Sequence, residues 1–177
     1  FYKSSDYGAT WTQITSGIPT SNIGSRMVMG VSEDNPDYVY LLQIKASDAT
    51  LANILWSADA GDNFTVVATG PNMMDYNCDG SGTASQANYD LCMIANPSDA
   101  DNVFAGGVNN WRSVDGGVTW NISTHWIGSD FGETCAATAH ADQHCYAWNP
   151  LNDYLYVGHD GGISYTEDYG VTWTEIT

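Results

Sequence analysis

Two short stretches concentrate the groups that can do chemistry. "HADQH" carries His140, Asp142 and His144, and "GHDGG" follows with His159 and Asp160. The chain has 4 His, and only His125 lies outside these stretches. In an extended strand alternate side chains share a side, so His140, Asp142 and His144 are expected to point together. Imidazole and carboxylate suit a divalent metal such as Zn, Mn, Ni or Fe, with those three residues as the ligand set. The same groups suit acid–base work, which makes Asp142 and Asp160 candidate catalytic carboxyls. A third role is structural: the side chains bond one another and a Gly-rich turn, and so lock the strand ends.

A second chemical set falls in two long stretches without strand pattern, Gly70–Asn88 and Thr124–Gln143. Loops of that length are usually functional or disordered. They hold Asp75, Asp79, Asp130 and Glu133. Carboxyl pairs about 5–10 Å apart are what glycoside hydrolysis needs, so Asp130 and Glu133 join the catalytic candidates. Tyr76, Trp126 and Phe131 offer aromatic faces for sugar rings. Tyr76 and Trp126 complete a candidate binding set with His140, Asp142, His144, His159 and Asp160. "NCDGSG", from Asn77, has the oxygen and glycine content of a calcium loop without the EF-hand spacing. The cofactor expectation is accordingly a divalent metal or calcium. Arg26 and Arg112 are the only arginines, too few for a triad that grips a sugar carboxylate. No nucleophile elbow and no phosphate-cradling G-x-x-x-x-G-K is present.

The elements that must position these groups are written as a repeat. Four octets align on Asp6, Asp59, Asp115 and Asp168, spaced 53, 56 and 53 residues apart. Two positions before each Asp stands a hydroxyl (Ser4, Ser57, Ser113, Thr166), and two after stands glycine (Gly8, Gly61, Gly117, Gly170). Five after stands an aromatic: Trp11, Phe64, Trp120 and Trp173. Carboxylate and hydroxyl can accept turn amides, glycine supplies positive φ, and the aromatic opens the next strand, so each octet reads as a hairpin turn. Between octets, each period holds four short strands. They are Arg26–Ser32, Tyr38–Gln43, Asn53–Ser57 and Phe64–Ala68; then Tyr89–Ala95, Asn102–Gly106, Asn110–Ser113 and Thr119–Ser123; then His144–Trp148, Tyr154–Val157, Gly162–Tyr165 and Thr172–Ile176. Four strands per such period predict an all-β chain of β-propeller blades, each of four antiparallel strands. The division is a closing hairpin over 1–20 and blades over 21–70, 71–124 and 125–177, an arc of a larger propeller.

Composition narrows the partners. Across 177 residues, 4 Lys+Arg stand against 21 Asp+Glu, a net charge of −17. That field repels nucleic acid and anionic membranes and suits cations, neutral glycans or cationic proteins. No apolar run reaches the length of a membrane span. With 43% hydrophobic residues the chain is no disordered acidic tail. Low Lys, many aromatics and 4 Cys favour a secreted or cell-surface setting. Cys78–Cys92 and Cys135–Cys145 are the local pairings, although four cysteines allow three connectivities. The chain starts inside a repeat, which suggests a piece of a longer protein.

The octet S-x-D-x-G-x-T-W resembles the Asp-box, also called the BNR repeat. It occurs in sialidases, sortilin-type receptors and xyloglucanase-like glycoside hydrolases. "YDLCMIANPSDADNVFAGGVNNWRSVDGGVTW" and the segment from "HADQH" onward are similar to secreted, glycosyl-hydrolase-like proteins of Bacteroidetes. The resemblance implies a propeller and is weak for function, because the box recurs in enzymes and binding proteins alike. The leading expectation is an extracellular scaffold that binds glycan or protein through its loop face, beside further blades of the same protein or a partner chain. A glycoside hydrolase acting on polysaccharide and a surface adhesin or assembly subunit are the alternatives.

Overall fold

The computed structural model describes residues 1–128 and 135–176. These residues form no helix. A short hairpin, β1 (Tyr2–Lys3) and β2 (Thr12–Gln13), is followed by three sheets. The first holds β3 (Ile23–Val31), β4 (Val39–Lys45), β5 (Leu51–Ser57) and β6 (Thr65–Ala68) in order, all antiparallel. The second repeats the pattern with β7 (Cys92–Asn96), β8 (Asp99–Gly106), β9 (Asn110–Ser113) and β10 (Asn121–His125), then adds β11 (Ala137–Thr138) parallel to β10. The third holds β12 (Gln143–Asn149), β13 (Tyr154–His159), β14 (Gly162–Thr166) and β15 (Thr174–Ile176). The leading strand β7 packs between the leading strands β3 and β12. The sheets are therefore consecutive blades of a partial β-propeller.

Packing between blades explains the sequence pattern. "VYLLQI" on β4 is an unbroken buried run, because both its faces are covered. Tyr40, Leu42 and Ile44 enter a core with Ile54, Met93, Val103 and Trp111. Val39 and Leu41 face the other way, with Leu55 and Phe64, against Phe1, Ile14 and Ile18 of the hairpin segment. Between the second and third sheets Phe104 is ringed by Tyr146, Trp148 and Trp173 at centroid distances of 6.2–6.4 Å.

The four octets form one repeated hydrogen-bonded turn. In each, the Ser or Thr hydroxyl donates to the Asp carboxylate at 2.7–2.8 Å and accepts the glycine amide at 2.8–2.9 Å. The carboxylate also accepts the amide and the side chain of the residue four positions on: Thr10, Asn63, Thr119 or Thr172. The glycine does two jobs. Its φ lies between +84° and +87°, or +83° at Gly117. In the last three octets it also leaves room for the preceding unit, since a Cβ would meet Phe1 at Gly61, Ile54 at Gly117, and Phe104 and Ser123 at Gly170. The turn both closes a hairpin and seats one blade on the next.

Two expectations change. The leading strand of the second sheet begins at Cys92, not Tyr89, because Tyr89 and Asp90 sit in a turn whose amides donate to the Gln86 carbonyl. The disulfide is Cys78–Cys135, with a Cα–Cα distance of 6.2 Å, and neither local pairing forms. Cys92 is buried behind Gly106 on the second sheet, whereas Cys145 lies exposed against Gly158 on the third. Both are held in strands, Cys92 in β7 and Cys145 in β12.

Candidate functional site

In an antiparallel four-stranded sheet, the start of the first strand and the turn between the second and third lie at one end. The octets, between the third and fourth strands, lie at the other. Both HADQH and GHDGG therefore fall on the loop rim, opposite the octets, and there the structure brings most of the predicted residues together.

They meet in three separate contacts. His144 Nε2 lies 2.7 Å from Asp160 Oδ1, and the Tyr89 hydroxyl donates to the same carboxylate at 3.1 and 3.2 Å. Tyr89 also packs edge-on to the His144 ring at 4.9 Å. Hydrogen bonding from His144 and Tyr89, partly opposed by desolvation, holds the Asp160 carboxyl below its ordinary range. His140 stacks on His159 at 5.7 Å and fits against Gly161, where a Cβ would meet its ring. His159 Nε2 pairs with the Ser164 hydroxyl at 2.9 Å. Burial, followed by the charge of His140, lowers the His159 pKa. Asp142 takes a hydrogen bond from the Gln86 amide at 3.3 Å, and its negative charge acts on the buried carboxyl of Asp90.

This arrangement corrects the expected metal triad. Asp142 has φ +66°, so the chain is not extended there, and β12 begins only at Gln143 with an irregular register to Cys145. His140 consequently stacks on His159, Asp142 bonds Gln86 and His144 pairs with Asp160, instead of meeting one another. Among the described residues, the set of three metal-capable groups whose ligand atoms lie within 4.8 Å of one another is Cys78, His125 and Cys135, and the disulfide uses two of those.

Asp90 is the residue that sequence reading missed. It is 0% exposed, and neither carboxylate oxygen has a hydrogen-bond donor. Burial, reinforced by the negative charge of Asp142, pushes its pKa up to about 7. Arg26, close in space, donates to the carbonyls of Tyr89 and Leu91 instead. The available signal was an acidic residue leading straight into the apolar run "LCMIA".

Beside this cluster lies an open cleft of about 370 Å³ lined by Tyr76, Asn77, Asp79, Ser81, His125 and Trp126, among others. Tyr76 and Trp126 meet edge to face at 6.4 Å. The Tyr76 carbonyl accepts from the Trp126 indole at 3.3 Å and lies 2.9 Å from His125 Nε2. The Cys78–Cys135 bridge ties the two long loops that form its walls. Trp126 remains 42% exposed. The calcium-like stretch is closed on itself: Asp79 accepts the Ser81 amide, and Asp75 accepts the Gly82 amide. Asp130, Phe131 and Glu133 lie outside the described residues.

Fold and rim together define a β-propeller segment with an acidic, aromatic loop face. Comparison with solved structures places it among propellers. A GH74 enzyme from Niastella koreensis superposes with a TM-score of 0.65 at 20% identity over 99% of this chain and 26% of that one. The GH74 xyloglucanase from Xanthomonas campestris gives 0.66 at 16% identity, covering 99% of this chain and 27% of that one. YCF48 bound to a D1 peptide gives 0.56 at 12% identity, covering 98% and 46%. The chain thus spans about a quarter of the GH74 proteins, and these identities establish the fold alone. No protein-family profile matches the chain, and no curated protein matches it.

Proposed function

We propose that this segment is a binding face of an extracellular Asp-box propeller and that it takes a neutral glycan. The observation that carries the reading is the Tyr76–Trp126 cleft. Two aromatic side chains stand half open to solvent, fixed by a disulfide, with the polar groups of Asn77, Asp79 and Ser81 beside them. Sugars present apolar faces to aromatic rings and hydroxyls to such polar rims. A net charge of −17 disfavours anionic ligands. The xyloglucanase named among the neighbours accords with a polysaccharide ligand, and the peptide-bound neighbour with a protein one. Calorimetric titration with xyloglucan and other neutral oligosaccharides tests the proposal. Saturable binding that Trp126→Ala weakens at least about tenfold supports it. Binding of peptides but of no glycan sinks it.

A second reading, glycoside hydrolysis, has its own observation. Asp160 is held ionised at the surface while nearby Asp90 is pushed up to about 7, and opposed shifts of this kind mark acid–base assignments. Under this reading Asp160 is the working carboxylate, and its partner comes from further chain. Sugar release that Asp160→Asn abolishes would establish it.

A further inference from the structure

We propose that Asp90 and Asp142 hold a divalent, oxygen-ligating cation of the calcium class at the loop rim, independently of any glycan in the neighbouring cleft. A fully buried carboxylate with no donor on either oxygen is too costly to stand alone. Gln86 links a second carboxyl to it, its carbonyl accepting the Asp90 amide at 3.1 Å and its side-chain amide donating to Asp142 at 3.3 Å, and a like charge so placed raises that cost. Among the described residues the ion pairs are Lys3–Asp62 and His144–Asp160, so neither Asp90 nor Asp142 has a cationic side chain bonded to it. A single proton would leave one negative charge and at least one unpartnered oxygen. A divalent cation neutralises both carboxylates and uses the orphaned oxygens.

The surrounding donors are of the right kind. The Gln86 amide already reaches Asp142 at 3.3 Å, and a half-turn of that amide presents its oxygen instead. Gln143, next in the chain to Asp142, has a fully buried Oε1 with no partner, while its nitrogen donates to the carbonyls of Val108 and His140. Each of these ligand atoms is oxygen, which selects hard cations over Zn or Cu. Asp142 is only half-buried and so gives the ion a route in. Its left-handed backbone takes the carboxyl out of the strand alternation, and the Gln86 amide bonds it there.

The test uses the full chain, stripped with EDTA and titrated with calcium chloride, magnesium chloride serving as comparison. Calcium is expected to raise the melting temperature by several degrees and to bind once per chain by calorimetry. Asp90→Asn should remove the calcium-dependent rise while melting in EDTA no lower than the parent, because it removes a buried charge without changing shape. Asp142→Asn should weaken calcium at least about tenfold. The proposal is overturned if about 10 mM calcium leaves the parent's melting temperature unmoved, well above the range of weak extracellular calcium modules. It is equally overturned if Asp90→Asn keeps the whole shift.

Discussion

The octet aspartates and Asp90 on the loop rim stand in opposite surroundings. On the octet rim the carboxylates are surrounded by donors, so Asp6 and Asp59 fall to about 2, mainly through bonds from Thr10 and Asn63. At Asp115 and Asp168 desolvation pushes the other way, yet the donors still win and both are lowered. On the loop rim Asp90 has no donor and is pushed up to about 7. One residue type forms turns where amides and hydroxyls donate hydrogen bonds to its carboxylate, and holds its proton more tightly where none does.

The contrast can be broken at several points. The largest effect should come from the bridge that fixes the loop rim. Replacing Cys78 and Cys135 together by serine releases a linkage spanning 57 residues. The chain-entropy relation puts this at about 4 kcal/mol, read by denaturant unfolding. On the octet rim, Gly170→Ala adds a Cβ 2.7 Å from Phe104 and Ser123 at φ +86°. Strain and overpacking together should cost about 3 kcal/mol, seen as a lowered melting temperature. Ser113→Ala removes a buried hydroxyl that bonds both Gly117 and Asp115. It should cost about 1–2 kcal/mol, whereas Ser4→Ala, at the exposed octet, should cost under about 0.5.

A pH series sharpens the comparison with opposite signs. Asp90 binds its proton more tightly folded than unfolded. In EDTA its contribution is therefore most favourable below about pH 4, declines as pH rises, and levels off above about 7. The octet aspartates behave in reverse: their contribution is present above about pH 4 and is lost as pH falls toward 2. Melting temperatures of Asp90→Asn against pH should lose the decline between 4 and 7 and keep the acid limb. The smallest effect belongs to Tyr89→Phe. It removes one exposed bond to Asp160 and should change stability by less than about 0.5 kcal/mol.

The fold was legible because each blade repeats its own instructions. Hydroxyl, Asp, Gly and aromatic recur at fixed offsets, and the predicted strand Asn110–Ser113 is the observed β9. The threonine or asparagine four residues after each Asp was visible in the motif, but its double bond to the carboxylate was not deduced. Glycine's seat on the preceding blade was hidden too, since it joins residues more than forty positions apart. The rim was legible as composition and not as geometry. HADQH and GHDGG were the right stretches, yet alternation failed at Asp142, where a positive φ redirects the side chain. Asp90 escaped notice because burial without a partner is a tertiary property, with no local pattern to announce it. The disulfide escaped for a similar reason: two loops distant in sequence meet on one rim.

The short parallel strand β11 has a consequence for self-association. A sheet's outermost strand offers a row of unpaired backbone groups to any passing chain. Ala137 and Thr138 occupy that position beside β10, so the middle blade ends on an edge strand of two residues, paired with Thr124 and His125. The flanking blades end on β6 and β15 instead. An extended peptide, or a second copy joining by strand addition, would therefore find a longer template on the flanking blades, whose last strands run 4 and 3 residues, than on the 2-residue edge of the middle one.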